Sequence, residues 1–211
     1  MSRICNKQPE RQMSLLDKET NELYGRVDAP IATGSAHFMR AGSELHLLHV
    51  DLELNNPRQA AVRVSCAAAA VRSALTEYES SHAIALELGF YGVHDDRLRA
   101  AGHGAFRVRE TLREARDKGL VALDDAAVTS IDRRFAEGGD EAAFTHFIED
   151  LREFSADLDN FDRAAAQALP AQWLELSWRV VTEFDRIRIY GQALAIINIL
   201  GTADVAAPAG A

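Results

Sequence analysis

The chain has 211 residues, a formal net charge of −9, 47 % apolar and 26 % charged residues. That balance belongs to a globular chain of one domain's size and excludes a disordered polymer, while two cysteines, Cys5 and Cys66, exclude a disulfide scaffold. The acidic excess argues against nucleic acid as a partner, because such a binder needs a basic field to displace phosphate counterions.

Residues 1–33 read as a polar N-terminal arm, interrupted by Gly25 and Pro30 and bounded by Gly34. Ser14 or Asp17 can start a short helix there, but most of the arm is expected to be irregular or docked on the body. It holds no apolar run of signal-peptide length, and nowhere do about 18 apolar residues follow one another as a membrane span requires. The expectation is a cytoplasmic protein with no membrane partner.

From residue 34 to 201 the pattern is that of one helical bundle domain. A first helix runs from about Ser35 to Leu54. Asn55-Asn56-Pro57 stops it and starts the next, with Asn56 as cap and Pro57 at the first helical position. The second helix runs to about Leu88. Its apolar seam is Val64, Ala68, Val71, Leu75, Tyr78, His82 and Ala85, at alternating spacings of four and three, and Gly89 and Gly92 end it. A third helix, about Asp95 to Lys118, shows one narrow apolar stripe and stops at Gly119. A shorter fourth (Asp124 to Glu137) ends at Gly138-Gly139. Asp140 caps a fifth helix carrying Phe144, Phe147, Leu151, Phe154, Leu158 and Phe161. After Leu169-Pro170 a sixth helix, apolar on several sides, runs from about Ala171 to Leu200. Residues 202–211 read as a flexible tail.

The predicted fold is all-α, an elongated antiparallel helical bundle of about six helices with a four-helix core. The second, fifth and sixth helices are each about 30 residues, hence about 45 Å long, and form the core with the third. The first and fourth are expected outside it. Seven basic residues between Arg97 and Lys118, against eight acidic ones between Asp140 and Asp162, predict that the third and fifth helices pair. The many alanines of the second helix predict a close helix approach or room for a ligand.

No phosphate loop, hydrolase elbow, zinc-protease helix or Cys-x-x-Cys pair occurs. Two clusters remain. At 100° per residue His46, His49 and Glu53 share one stripe, near the middle of the face expected to be buried. Two imidazoles at i, i+3 with a carboxylate four further on can ligate zinc, iron or manganese. The plainer reading is a partly buried histidine pair. Glu79-Ser-Ser-His82 has the Glu-x-x-His spacing that di-iron bundles use twice, here present once, and Glu183 is the further carboxylate expected on an apolar face. Its plainer reading is a single His–Glu or His–Tyr hydrogen bond. About 25–30 Å of helix separates the two clusters, so one metal centre cannot use both. Tyr78 and Glu183 are also candidates to line an apolar pocket.

These features favour a non-enzymatic helical bundle acting through protein–protein contacts, as an adaptor, scaffold or assembly factor. The apolar sixth helix predicts a homo-oligomer, a dimer or higher, and leaves room for a protein partner. The alternatives are a metal-binding or metal-dependent oxidative bundle, and a bundle holding haem or a small apolar ligand, with His49 or His82 as an axial ligand.

Overall fold

The computed structural model describes residues 8–100, 110, 112–114, 116–119, 125–165 and 170–203. They form α1 (Gln8–Glu53), α2 (Pro57–Glu87), α3 (Phe90–Ala100), α4 (Asp125–Ala165) and α5 (Pro170–Ala203), with a further helical stretch around 112–114. Among the described residues there is no strand, and the helices pack on one another as an all-α bundle. No helix among them is long and apolar enough to cross a membrane. Residues 1–7 of the expected arm and 204–211 of the expected tail lie outside the described residues.

The corner between α1 and α2 follows the sequence closely. Asn56 Oδ1 accepts from Gln59 N–H at 3.5 Å, and Pro57 occupies the first turn, where its missing N–H is not needed. α4 runs as two halves. Gly138 and Gly139 leave helical geometry between them, and Gly139 sits at φ 69°, which a side chain would oppose. The second half then starts at Asp140, as expected.

The polar arm requires correction. From Gln8 to residue 33 it is continuous helix, the front part of α1, with Pro30 inside it. An interior proline costs about 3 kcal/mol. Tyr24 and Val27 are nevertheless buried, against Ala85, Phe90 and Tyr91 of α2 and α3, and each buried side chain of this size contributes about 1.5–3 kcal/mol. Packing therefore outweighs the local breaker. Gly34 is not a breaker but a point of close approach: a Cβ there would lie 3.2 Å from Glu77 Cβ and 3.2 Å from the Tyr78 ring.

The core also differs from the expected set. Its members are α1, α2, the second half of α4, and α5, so the first helix replaces the third. Phe38, Ala41, Leu45 and Leu48 of α1 are buried with Val64, Val71, Leu151, Phe154, Phe184 and Ile187. The α1 stripe was hidden by the apolar residues behind it: Met39, Leu47, Val50 and Leu54 are all exposed. On α2 the buried residues Ala60, Ala67, Ala68, Ala70 and Ala74 allow the close approach that their size predicts. α3, starting at Phe90 rather than Asp95, closes one end of the bundle, while Leu112, Val128 and Ile131 pack against the core. α5 is not apolar all round in use, since Trp178 is exposed while Val181, Phe184 and Ile187 face inward. Gly201 does not end it; the helix continues to Ala203.

The predicted charge pairing is redirected. Asp150 and Asp159 of α4 meet Arg186 of α5 and Arg72 of α2, and Arg152 of α4 meets Glu79 of α2. Side chains 97–109 of the expected basic helix lie outside the described residues. Arg116 pairs with Asp117 and Asp125.

Candidate functional site

The His46, His49, Glu53 stripe does not lie at the centre of a buried face. The buried meridian of α1 passes through Ala41, Leu45 and Leu48, which turns His46 out to solvent and leaves His49 at the edge. His49 Nδ1 is 3.3 Å from Ser177 Oγ of α5, and Nε2 is 3.3 Å from Glu53 Oε1. Its ring lies 4.4 Å from that of Trp178. Nδ1 thus joins α1 to α5, while Nε2 pairs within α1.

Glu79, His82 and Glu183 go to three different partners. Glu79 pairs with Arg152 and Glu183 with Arg186, each at 2.6 Å. His82 Nδ1 meets the Tyr91 hydroxyl at 2.6 Å, the His–Tyr bond of the plainer reading. Burial lowers the His82 imidazole below its ordinary value, against the Glu141 carboxylate acting upward. Burial, then Asp140 and Glu141, push the Tyr91 phenol well above its ordinary range. Both shifts favour a neutral imidazole and a neutral phenol as the two partners. Among the described residues no three His, Cys, Asp or Glu side chains converge as metal ligands would.

The notable concavity lies elsewhere, between α1, α2, α4 and α5 and beneath α3. It is a half-open cleft of about 400 Å³. Phe38, Tyr78, Phe90, Tyr91, Phe144 and Phe147 supply its aromatic wall. The rings hold one another edge-on: Tyr78 and Phe147 lie 5.0 Å apart at 80°, and Phe38 and Phe147 6.3 Å apart at 80°. Gly191 of α5 forms part of the wall, and a Cβ there would lie 3.0 Å from the Phe147 ring. Glycine lets α5 approach this ring without filling the space.

Few polar groups face the cavity. Ser35 and Tyr78 share a hydrogen bond at 3.1 Å, and Ser81 Oγ donates to the Val27 carbonyl at 2.9 Å. Asp28, Asp140, Arg188 and Gln192 complete the polar lining. Behind Asp140 the corner of α3 is built in detail. His94 is fully buried, stacked on Phe90 at 5.5 Å, with Nδ1 3.1 Å from Asp140 Oδ2. Asp95 Oδ1 accepts from Asp140 N–H at 3.4 Å, which places a carboxylate at the start of the second half of α4, where the helix dipole favours it.

Tyr78 lines this cavity as the sequence suggested, and Glu183 does not. Glu183 borders a second cleft between α4 and α5, with Asp157 and Arg179 on its rim.

No protein-family model, curated protein or solved structure matches the chain. The function must be read from the site itself.

Sequence reasoning missed Phe90 and Tyr91, and took His94 for a corner residue helping to cap the next helix, where it is buried within α3. The signal was present: Phe90 and His94 stand one turn apart, so an aromatic and an imidazole share a face if the helix begins before Asp95. Asp28 and Ile31 were missed because their segment was read as irregular.

Proposed function

We propose that this chain is a binding protein for a small apolar molecule, held in the aromatic cavity at the α3 end of the bundle. The supporting observation is the cavity: about 400 Å³, half open, walled by six aromatic rings and with a few polar side chains in its lining. Ligand sites are typically clefts of roughly 300–1,000 Å³ with this kind of lining, and the second cleft, of about 410 Å³, has only Phe154 and Phe161 as aromatic lining. Of the alternatives raised by the sequence, the small-ligand bundle is the one this feature favours. His49 and His82 do not line the cavity, so this reading assigns neither as an axial ligand.

The test is a fluorescence titration with the neutral dye N-phenyl-1-naphthylamine. One dye per chain is expected to bind with enhanced, blue-shifted emission. Ala32 sits exposed at the cavity rim, so Ala32→Trp places a large ring across the opening with little change in the core. This variant is expected to lose the enhancement while keeping its helical spectrum. Equal dye binding by both proteins refutes the proposal.

A second reading, action through protein contacts, has one observation in its favour. Leu47, Val50 and Leu54 of α1, together with Trp178 of α5, are exposed apolar side chains. Sedimentation of the purified protein tests it: a mass that rises with concentration, and falls for Leu47→Glu with Val50→Glu, supports self-association through this face. A monomer across the range refutes self-association through this face.

A further inference from the structure

We propose that the cavity takes a neutral lipophile carrying a carbonyl oxygen, a ketone or ester, and that this oxygen accepts a hydrogen bond from the Ser35–Tyr78 hydroxyl pair. This rests on the small-ligand reading above and adds the ligand's class.

Ser35 stands at the middle of the arc that α1 turns to the cavity. At 100° per residue, Val27, Ile31 and Phe38 of the lining lie within about 80° on one side of it, and Asp28, Ala32 and Met39 within about 60° on the other. The Tyr78 hydroxyl of α2 is 3.1 Å from Ser35 Oγ, so both oxygens stand at that point.

The pair has one hydrogen to spare. Two hydroxyls carry two hydrogens, and the bond between them uses one. Whichever oxygen accepts keeps its own hydrogen to donate. Thr33 and Ser43 of α1 donate to carbonyls one turn back, and Ser81 of the lining donates to the Val27 carbonyl. Among the described residues no such acceptor meets the Ser35–Tyr78 pair. Tyr78 is only 5 % exposed, and burial raises its phenol above the ordinary value, against the Ser35 bond acting downward, so it keeps its proton.

A ligand in the cleft shuts water from this point. One without an acceptor leaves the spare hydrogen unpaired in an apolar wall, and one with an acceptor pairs it. A carboxylate would accept too, but it would bring a charge to a wall that already carries Asp140, and Arg188, the cation of that lining, is held by Asp185 at 3.0 Å. A carbonyl oxygen supplies the acceptor with no charge and no further hydrogen to satisfy.

Three probes on one naphthalene ring separate the cases: 2-acetylnaphthalene, its hydrocarbon counterpart 2-isopropylnaphthalene, and the carboxylate 2-naphthoate. Each competes with N-phenyl-1-naphthylamine on the intact chain. The readout is the ratio of ketone to hydrocarbon affinity, in which a change of cavity shape common to both cancels. Ser35→Ala combined with Tyr78→Phe removes both hydroxyls at once, which leaves neither partner unpaired and spares the fold. In this double variant the ratio is expected to fall about tenfold. In at least one of the two single variants it is expected to stay within about threefold of wild type, because one hydroxyl still has a free hydrogen. An unchanged ratio in the double variant overturns the acceptor assignment and leaves the cavity reading standing. The full loss in both single variants contradicts the hydrogen count and overturns it as well. If 2-acetylnaphthalene fails to displace bound dye, or 2-naphthoate displaces it at the lowest concentration of the three, the neutral carbonyl class is overturned. If the dye binds wild type and the Ala32→Trp variant alike, the cavity reading itself is overturned.

Discussion

Two glycines of α1 give the same mutation opposite signs. Gly25 is exposed, and a Cβ there meets nothing within 4 Å. Gly25→Ala should therefore gain only helix propensity, about 0.5–1 kcal/mol. Gly42 is buried, and a Cβ there would lie 2.6 Å from Cε1 and 2.8 Å from Cζ of Phe184. Phe184 cannot swing aside, since it is 2 % exposed with Phe38 at 4.5 Å and Phe154 at 6.0 Å. Overpacking of a dense core costs about 1–3 kcal/mol, so Gly42→Ala should lose about 0–2 kcal/mol after the propensity gain is subtracted. The difference between the two variants, about 1–3 kcal/mol, isolates the steric term because the propensity term is common to both. Urea melts followed by circular dichroism, with a shared slope, measure it. Equal stability of the two variants would mean that α1 is not seated on α5 at Phe184.

Leu48→Ala should cost about 2–5 kcal/mol while Leu47→Ala stays within about 0.5 kcal/mol, because Leu48 is 0 % and Leu47 43 % exposed; urea melts of the pair check the facing of α1. Ser81→Ala should cost about 1 kcal/mol, since the buried hydroxyl is the partner of the Val27 carbonyl at 2.9 Å, and an unchanged thermal midpoint contradicts it. The lowered His82 value gives a pH dependence of definite sign. Below the ordinary 6.5, and down to the lowered folded value, the unfolded chain binds more protons than the folded one. Stability from this group is therefore complete above 6.5 and is lost as pH falls through the folded value. His82→Gln should flatten the stability profile between about pH 5 and 7, and an unchanged profile would contradict the burial argument.

What the sequence made legible was local. Asn56-Pro57, Gly138-Gly139 and the four-three seam of α2 act through neighbouring residues, and each lies where its chemistry predicts. The errors came from long-range packing. Pro30 and Gly34 look like breakers until the residues around them are seen against α2 and α3. On α1 two apolar stripes compete, Phe38–Ala41–Leu45–Leu48 and Met39–Leu47–Val50–Leu54, and the helical wheel does not say which faces a neighbour. That ambiguity placed His46 on a buried face, where it is exposed, and His49 at the centre of a face whose edge it occupies. The His–Tyr alternative for His82 was readable as a type of bond, but its partner depends on where α3 starts. The cavity was legible only as Tyr78 among phenylalanines, because its wall is drawn from five helices.

The central claim is that an apolar molecule occupies the space among Phe38, Phe144 and Phe147. Crystals grown with 1-bromonaphthalene and measured at the bromine edge locate such a molecule without assumption. The account predicts one anomalous peak within about 4 Å of those rings, in ordinary apolar contact. A peak only on the outer face beside Leu47, Val50 and Trp178, or none on the protein at all, would contradict it.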